Sequence, residues 1–157
     1  MKSHHYNTKL VWKGNTGKGT ETYRAYERAH EITVDGKPFI PGSSDPSFRG
    51  DPTRYNPEEL FLASLSACHM LWFLAIAAKR QYTVDRYADS AVGVMGKNSA
   101  GKKYVARVTL RPEVAFSGDR VPDAEDLRAL HHRAHEECFI ANSVLTEILC
   151  EPVATSR

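Results

Sequence analysis

Three features of the chain predict an α+β fold: short strand-like segments near the N-terminus, one long apolar helix with a sharp start signal, and a strand–helix–strand succession after it. An alternating βαβα order, the mark of a doubly wound parallel sheet, is not present. At 157 residues the chain suits a single domain spanning 1–157, large enough to bury a core without disulfide or metal staples.

Residues 5–13, 19–27 and 30–34 read as short strands, separated by Gly14-Asn-Thr-Gly-Lys-Gly and Asp35-Gly-Lys-Pro. Residues 35–55 are rich in Pro, Gly, Ser and Asp and predict a long loop, of a length that is usually functional or disordered. The loop runs into Asn56-Pro57-Glu58-Glu59. Asn56 suits the helix cap, Pro57 the first helical position, and Glu59 the third residue of a capping box. The helix should extend to about Arg80. Its apolar residues cover nearly every face, which predicts a helix enclosed by other elements.

Two strands follow over 84–96 and 103–116, with a turn at Asn98-Ser-Ala-Gly101. In the second, Tyr104, Ala106, Val108 and Leu110 alternate with Arg107, Thr109 and Arg111, the pattern of a half-buried antiparallel strand. A second helix starts after Pro122 with Asp123 as cap and reaches about Cys138. A final strand near 144–151 ends before Pro152.

Composition excludes several classes of function. Hydrophobic residues make up 41% and charged residues 25%, far from a disordered chain. The net charge of +2, spread along the sequence, implies no nucleic-acid partner and no anionic membrane. Residues 60–78 are long and apolar enough to raise a membrane span, but Ser64, Ser66 and His69 interrupt them and favour a core helix. Met1-Lys-Ser-His-His leads straight into polar sequence without a signal-peptide run, which points to the cytoplasm.

Chemistry rests on few residues. Cys68, Cys138 and Cys150 are an odd trio in a chain without an export signal, so a structural disulfide framework is not expected. Cys68 lies mid-helix, where the helix dipole gives little help, and needs a nearby cation to act as a thiolate. Cys138 closes the second helix, where a thiol can be partly exposed and mobile. Cys150, in the last strand, reads as structural. His131, His135 and Cys138 fall at i, i+4 and i+7, a spacing open to zinc but short of a fourth ligand. Glu58 lies ten residues before Cys68, about 15 Å along the axis, so any link between them runs through another side chain. Arg49 and Arg54 in the preceding loop have that reach.

The block Asn56-Pro-Glu-Glu-Leu-Phe-Leu-Ala-Ser-Leu-Ser-Ala-Cys68, coupled to a second cysteine at the end of a later helix, resembles the OsmC/Ohr family. These are the osmotically inducible protein C and organic hydroperoxide resistance proteins. The resemblance covers nearly the whole chain. It implies antiparallel sheets wrapped around two central helices in an intertwined homodimer, and a metal-free peroxidase without a cofactor. The implied substrate is an organic hydroperoxide, and the implied reductant an external dithiol, of lipoyl or similar type. Cys68 and Cys138 match the nucleophilic and resolving cysteines. Glu58 matches the acidic residue that orients a catalytic arginine, and Arg49 is the nearest counterpart of that arginine, with Arg54, Arg28 and Arg24 as the other choices. Many relatives carry Cys-Pro at the second cysteine, whereas Phe139-Ile140-Ala141 follows Cys138 here.

Overall fold

In the computed structural model, residues 3–153 are described, and they divide into two compact units that part between Leu60 and Phe61. In the first unit, β1 (Lys9–Trp12), β2 (His30–Thr33) and β3 (Ile40–Gly42) form an antiparallel sheet in that order. The strand expected over 19–27 is replaced by turns. The Asn15 side chain accepts from the N–H groups of Gly17 and Gly19, both at 2.9 Å, and the two glycines take φ of 116° and 54°. The side chain thus captures the donors a ladder would have used.

The loop expected over 35–55 is more ordered than its composition suggests. It contains β3 and a single 3₁₀ turn, Pro46–Phe48, capped by Asp45, which accepts from Ser47 N–H at 2.8 Å. Buried Ser43 anchors the rest: its N–H donates to Tyr55 O (2.9 Å), and its hydroxyl accepts from Asp51 N–H (3.0 Å). Gly50 is obligatory here, since a Cβ at that position would lie 1.5 Å from Ser44 O. The Asn56–Glu59 capping box forms as expected, with Glu59 N–H donating to Asn56 Oδ1 (2.8 Å) and Asn56 N–H to Glu59 Oε2 (3.0 Å).

The helix α1 runs Pro57–Lys79. It stops where Gln81 turns left-handed (φ 62°) and Tyr82 N–H reaches back to Ala77 O at 3.0 Å. Its buried residues, Leu65, His69, Phe73 and Ala77, recur every fourth position along one stripe. The expected enclosure on all sides is therefore absent within one chain. Leu71, for instance, remains 62% exposed.

The second unit adds β4 (Thr83–Asp89), β5 (Val92–Lys97), β6 (Lys103–Leu110), β7 (Pro112–Ser117), α2 (Ala124–Glu137) and β8 (Glu147–Cys150). The two long strands expected over 84–96 and 103–116 are each broken in the middle. β4 pairs with β7, whereas β5 pairs with β6, both antiparallel. Asp89 explains the break: its carboxylate takes Arg111 N–H at 2.6 Å and the Ser66 hydroxyl at 2.5 Å. Pro112, with no N–H to give, follows at once. β8 joins β6 in parallel, as the helical crossover through α2 permits. Gly93 lets β5 approach α1, since a Cβ there would lie 2.8 Å from Leu62 Cδ1.

Two apolar clusters fill this unit. Phe73, Ala77, Tyr82, Val114, Leu130 and Ala134 bind α1 and α2 to β7. Leu65, Val108 and Leu110 bind α1 to β6. Between these two packed regions lie the polar side chains of interest.

Candidate active site

Asp123 starts α2 by accepting from Glu125 and Asp126 N–H at 2.9 and 2.8 Å. Cys138 ends it as the C-cap, in extended backbone (φ −67°, ψ 107°). That change of backbone turns its side chain out of the helical register and toward α1. There it meets Cys68, with the edge-to-face pair Trp72–Phe139 (centroids 5.5 Å apart) packed beside the junction. The structure thus brings together two thiols that the sequence separates widely.

Their environments differ. Cys68 is half-buried, while Cys138 is only 1% exposed. Cys138 is therefore not the partly exposed thiol expected at a helix end. Ala141 N–H donates to its sulfur at 3.4 Å, and Asn142 N–H donates to its carbonyl at 3.0 Å, so the chain after α2 folds back over it. Burial pushes the Cys138 thiol up to about 11, with the adjacent Cys68 adding to the rise and the Ala141 N–H opposing it. Cys138 is a protonated thiol at neutral pH. On α1 around Cys68, the apolar side chains Leu65 and Phe73 are sealed in the core, whereas Trp72 and Phe61 are partly accessible.

Of the arginines, Arg28 is held between the rings of Tyr23 and Tyr26, at 4.3 and 4.1 Å from their centroids, and donates to both carbonyls. Arg54 lies 3.6 Å from Asp51 and donates to His30 O at 3.4 Å. Arg49 is exposed at the end of the 3₁₀ turn with φ 65°, and Arg24 is exposed too; neither forms an ion pair among the described residues. Glu58 is exposed in the first turn of α1.

A second polar cluster lies deeper, and its composition differs from the metal set considered on α2 alone. His131 is buried against His69, and Cys138, outside the helix, adjoins Cys68 instead of completing a set with His131 and His135. His69 Nε2 lies 3.1 Å from His131 Nδ1 and 3.8 Å from Cys150 Sγ. The imidazole centroids are 5.4 Å apart and the planes 9° apart. The two separations differ by two ring radii, so the nitrogens meet head-on in one plane, a hydrogen-bonded pair rather than a stack. The Phe73 ring covers His131 at 4.4 Å.

Burial drives His69 down to about 4, helped by His135 and opposed by Asp89. It drives His131 down to about 3, with His69 adding to the effect. Both are neutral imidazoles at pH 7. Burial pushes Cys150 up to about 12, with Asp89 and Glu151 adding to it. The sequence singled out neither His69 nor Cys150. The available signal was the stripe itself: His69 sits four residues after Leu65 and four before Phe73, an imidazole in a core position.

A family model described as OsmC-like protein matches residues 50–152. The chain belongs to the OsmC-like family. An OsmC-like protein of unknown function from Vibrio cholerae is 44% identical, with a TM-score of 0.90 over 96% of this chain and 100% of that one. OhrB of Bacillus subtilis, an organic hydroperoxide resistance protein, is 22% identical with a TM-score of 0.66 over 94% and 98% of the two chains. One from Elizabethkingia anophelis is 18% identical with a TM-score of 0.68 over 96% of each. The latter two share the OsmC-like fold. No curated protein matches the chain.

Proposed function

We propose that this OsmC-like protein is a thiol peroxidase for organic hydroperoxides, with Cys68 as nucleophile and Cys138 as resolving thiol. The observation that carries this reading is the meeting of a half-buried Cys68 with a sealed, protonated Cys138. The accessible sulfur meets the peroxide, and the protected one waits for the sulfenic acid. In this scheme the Arg49 guanidinium, oriented by Glu58, stabilises the Cys68 thiolate. Arg49 is favoured because Arg28 and Arg54 are already engaged by tyrosines, carbonyls and Asp51.

The thiolate attacks the distal peroxide oxygen and the O–O bond breaks. The leaving alkoxide takes a proton and departs as alcohol, leaving Cys68 sulfenic acid. The Cys138 thiol condenses with it, forming the disulfide and releasing water. An external dithiol, of lipoyl type or similar, restores both thiols by exchange. No cofactor enters the scheme. Trp72 and Phe61 give the approach an apolar wall that suits alkyl over hydrogen peroxide. A cytoplasmic homodimer is part of this proposal. A second copy is the occupant we assign to the apolar side of α1 that carries Leu71 and lies away from the buried stripe.

The deciding experiment is dithiothreitol-driven consumption of cumene hydroperoxide by wild type, Cys68→Ser and Cys138→Ser. Multiple turnovers that vanish in Cys68→Ser and decay by over-oxidation in Cys138→Ser support the reading. A wild type that consumes one equivalent and stops favours a thiol sensor, for which the full burial of Cys138 against reductant would be the structural cause.

A further inference from the structure

Three buried side-chain atoms among the described residues have no hydrogen-bond partner: His69 Nδ1, Tyr87 Oη and His131 Nε2. They are not scattered. His69 and His131 face each other, and Tyr87 feels the charge of both Asp89 and Cys150, which adjoin the same pair. An orphaned buried polar group costs about 1–3 kcal/mol, and native proteins carry few. The orphaned nitrogens lie on the far sides of the two rings and are not the ligand atoms; they mark a polar pocket in the core, and the case for a ligand rests on the facing atoms.

The donor atoms of His69, His131 and Cys150 all lie within 4.8 Å of one another. We propose that these three side chains form a binding site for a soft transition-metal ion of the zinc class, distinct from the Cys68–Cys138 pair. Two imidazoles and a thiolate are the donor chemistry of zinc and of copper(I), and no oxygen ligand is present to favour magnesium or calcium. Metal–nitrogen and metal–sulfur bonds of zinc length place tetrahedral nitrogens roughly 3.3 Å apart and nitrogen from sulfur roughly 3.6 Å. The observed separations from His69 Nε2 are 3.1 and 3.8 Å. Small side-chain movements reach the required spacing.

Charge agrees with the assignment. Asp89 adjoins the cluster with both carboxylate oxygens already engaged, one by Arg111 N–H and one by Ser66. It is unavailable as a ligand and acts as a fixed negative neighbour. A divalent ion with the Cys150 thiolate and Asp89 makes a neutral assembly, which burial favours. Access exists as well: an open cleft of about 250 Å³ is lined by His131, His135 and Cys150 and leads to two of the three ligands. Water entering by this route would complete four-coordination.

Metal entry balances simply and needs no oxidant. The proton shared between the facing nitrogens moves to one of the orphaned ones, so each imidazole keeps one N–H on its far side. The rings tilt out of their head-on line, and the Cys150 proton is released to solvent. The hydrogen-bonded pair is thus the metal-free form of the site.

Cobalt(II) added to the full-length, reduced, chelator-treated protein tests this directly. One equivalent should produce tetrahedral visible bands and a near-ultraviolet thiolate-to-cobalt band, both bleached by one equivalent of zinc. Cys150→Ser should abolish the thiolate band and weaken binding by roughly 100-fold or more, with circular dichroism showing that the variant is folded. Cys68→Ser and Cys138→Ser should keep the band, which separates this site from the peroxidase pair. A band that survives Cys150→Ser, or disappears in Cys68→Ser, overturns the assignment. So does cobalt binding without a thiolate band, the signature of adventitious capture by His4 and His5, or no binding at micromolar metal, which would leave the cleft and its orphaned atoms to water.

Discussion

His69 and His131 come from the middle of α1 and the middle of α2, and their imidazoles meet nitrogen to nitrogen at 3.1 Å inside the core. No more than one proton fits between the facing nitrogens, and burial keeps both rings neutral. The unfolded chain has no such restriction, and its histidines titrate near 6.5.

Acid should therefore unfold the metal-free protein early. Both folded pKa values, about 4 and about 3, lie below the unfolded value, so the unfolded state binds more protons between pH 6.5 and 4. Stability is highest above pH 6.5 and falls as the pH drops through that window. At about 1.4 kcal/mol per pKa unit, the pair accounts for a loss of several kcal/mol. Urea titrations at pH 7.5, 5.5 and 4.5 measure this. A profile flat over that range would contradict the neutral buried pair.

Thiol labelling should separate the three cysteines. Cys68 is half-buried, whereas Cys138 is sealed and held near 11, where about one molecule in a thousand is thiolate at pH 8. Cys150, at about 12, should be slower still. Iodoacetamide at pH 8 should modify Cys68 at least about tenfold faster than either. Mass spectrometry of a time course gives the order, and equal rates for Cys68 and Cys138 would refute the burial difference.

The start of α1 offers a quantitative check. Asn56→Ala removes the Oδ1 acceptor of Glu59 N–H, while the Asn56 N–H keeps its bond to Glu59 Oε2, and should cost about 1 kcal/mol, within the usual range for helix caps. Thermal unfolding should show a fall of several degrees. An unchanged midpoint would mean the capping box is redundant with the neighbouring loop contacts.

The capping box and α1 were legible in the sequence because they depend on residues within four positions of one another. The cysteine pair was legible through resemblance, and spacing alone carried no such information. The divided strands were not legible: Asp89 captures Arg111 N–H and Ser66 through contacts 22 or more residues apart, which no local pattern records. The same holds for His69. Its partner His131 is 62 residues away, and a lone histidine in an apolar run looks like an interruption. The turns at 19–27 were misread because the alternation there resembles a strand, while Asn15 diverts the glycine N–H groups.

Arg49 allows stability and activity to be set against each other. Its φ of 65° places a non-glycine residue in the left-handed region, which costs roughly 1–2 kcal/mol. Glycine would relieve that strain, while its greater freedom when unfolded returns about 0.5–1 kcal/mol of the gain. Arg49→Gly should accordingly be as stable as wild type or up to about 1 kcal/mol more so, whereas Arg49→Ala keeps the strain and should not gain. If Arg49 serves the Cys68 thiolate, both variants should lose peroxide turnover by about a hundredfold or more, as expected when a charge-stabilising group is removed. Equal losses of turnover with Arg49→Gly the more stable of the two variants would separate the guanidinium's chemistry from the backbone that holds it. Full turnover in Arg49→Gly would move the role to Arg24, which, unlike Arg28 and Arg54, is exposed and engaged by neither tyrosine rings nor Asp51.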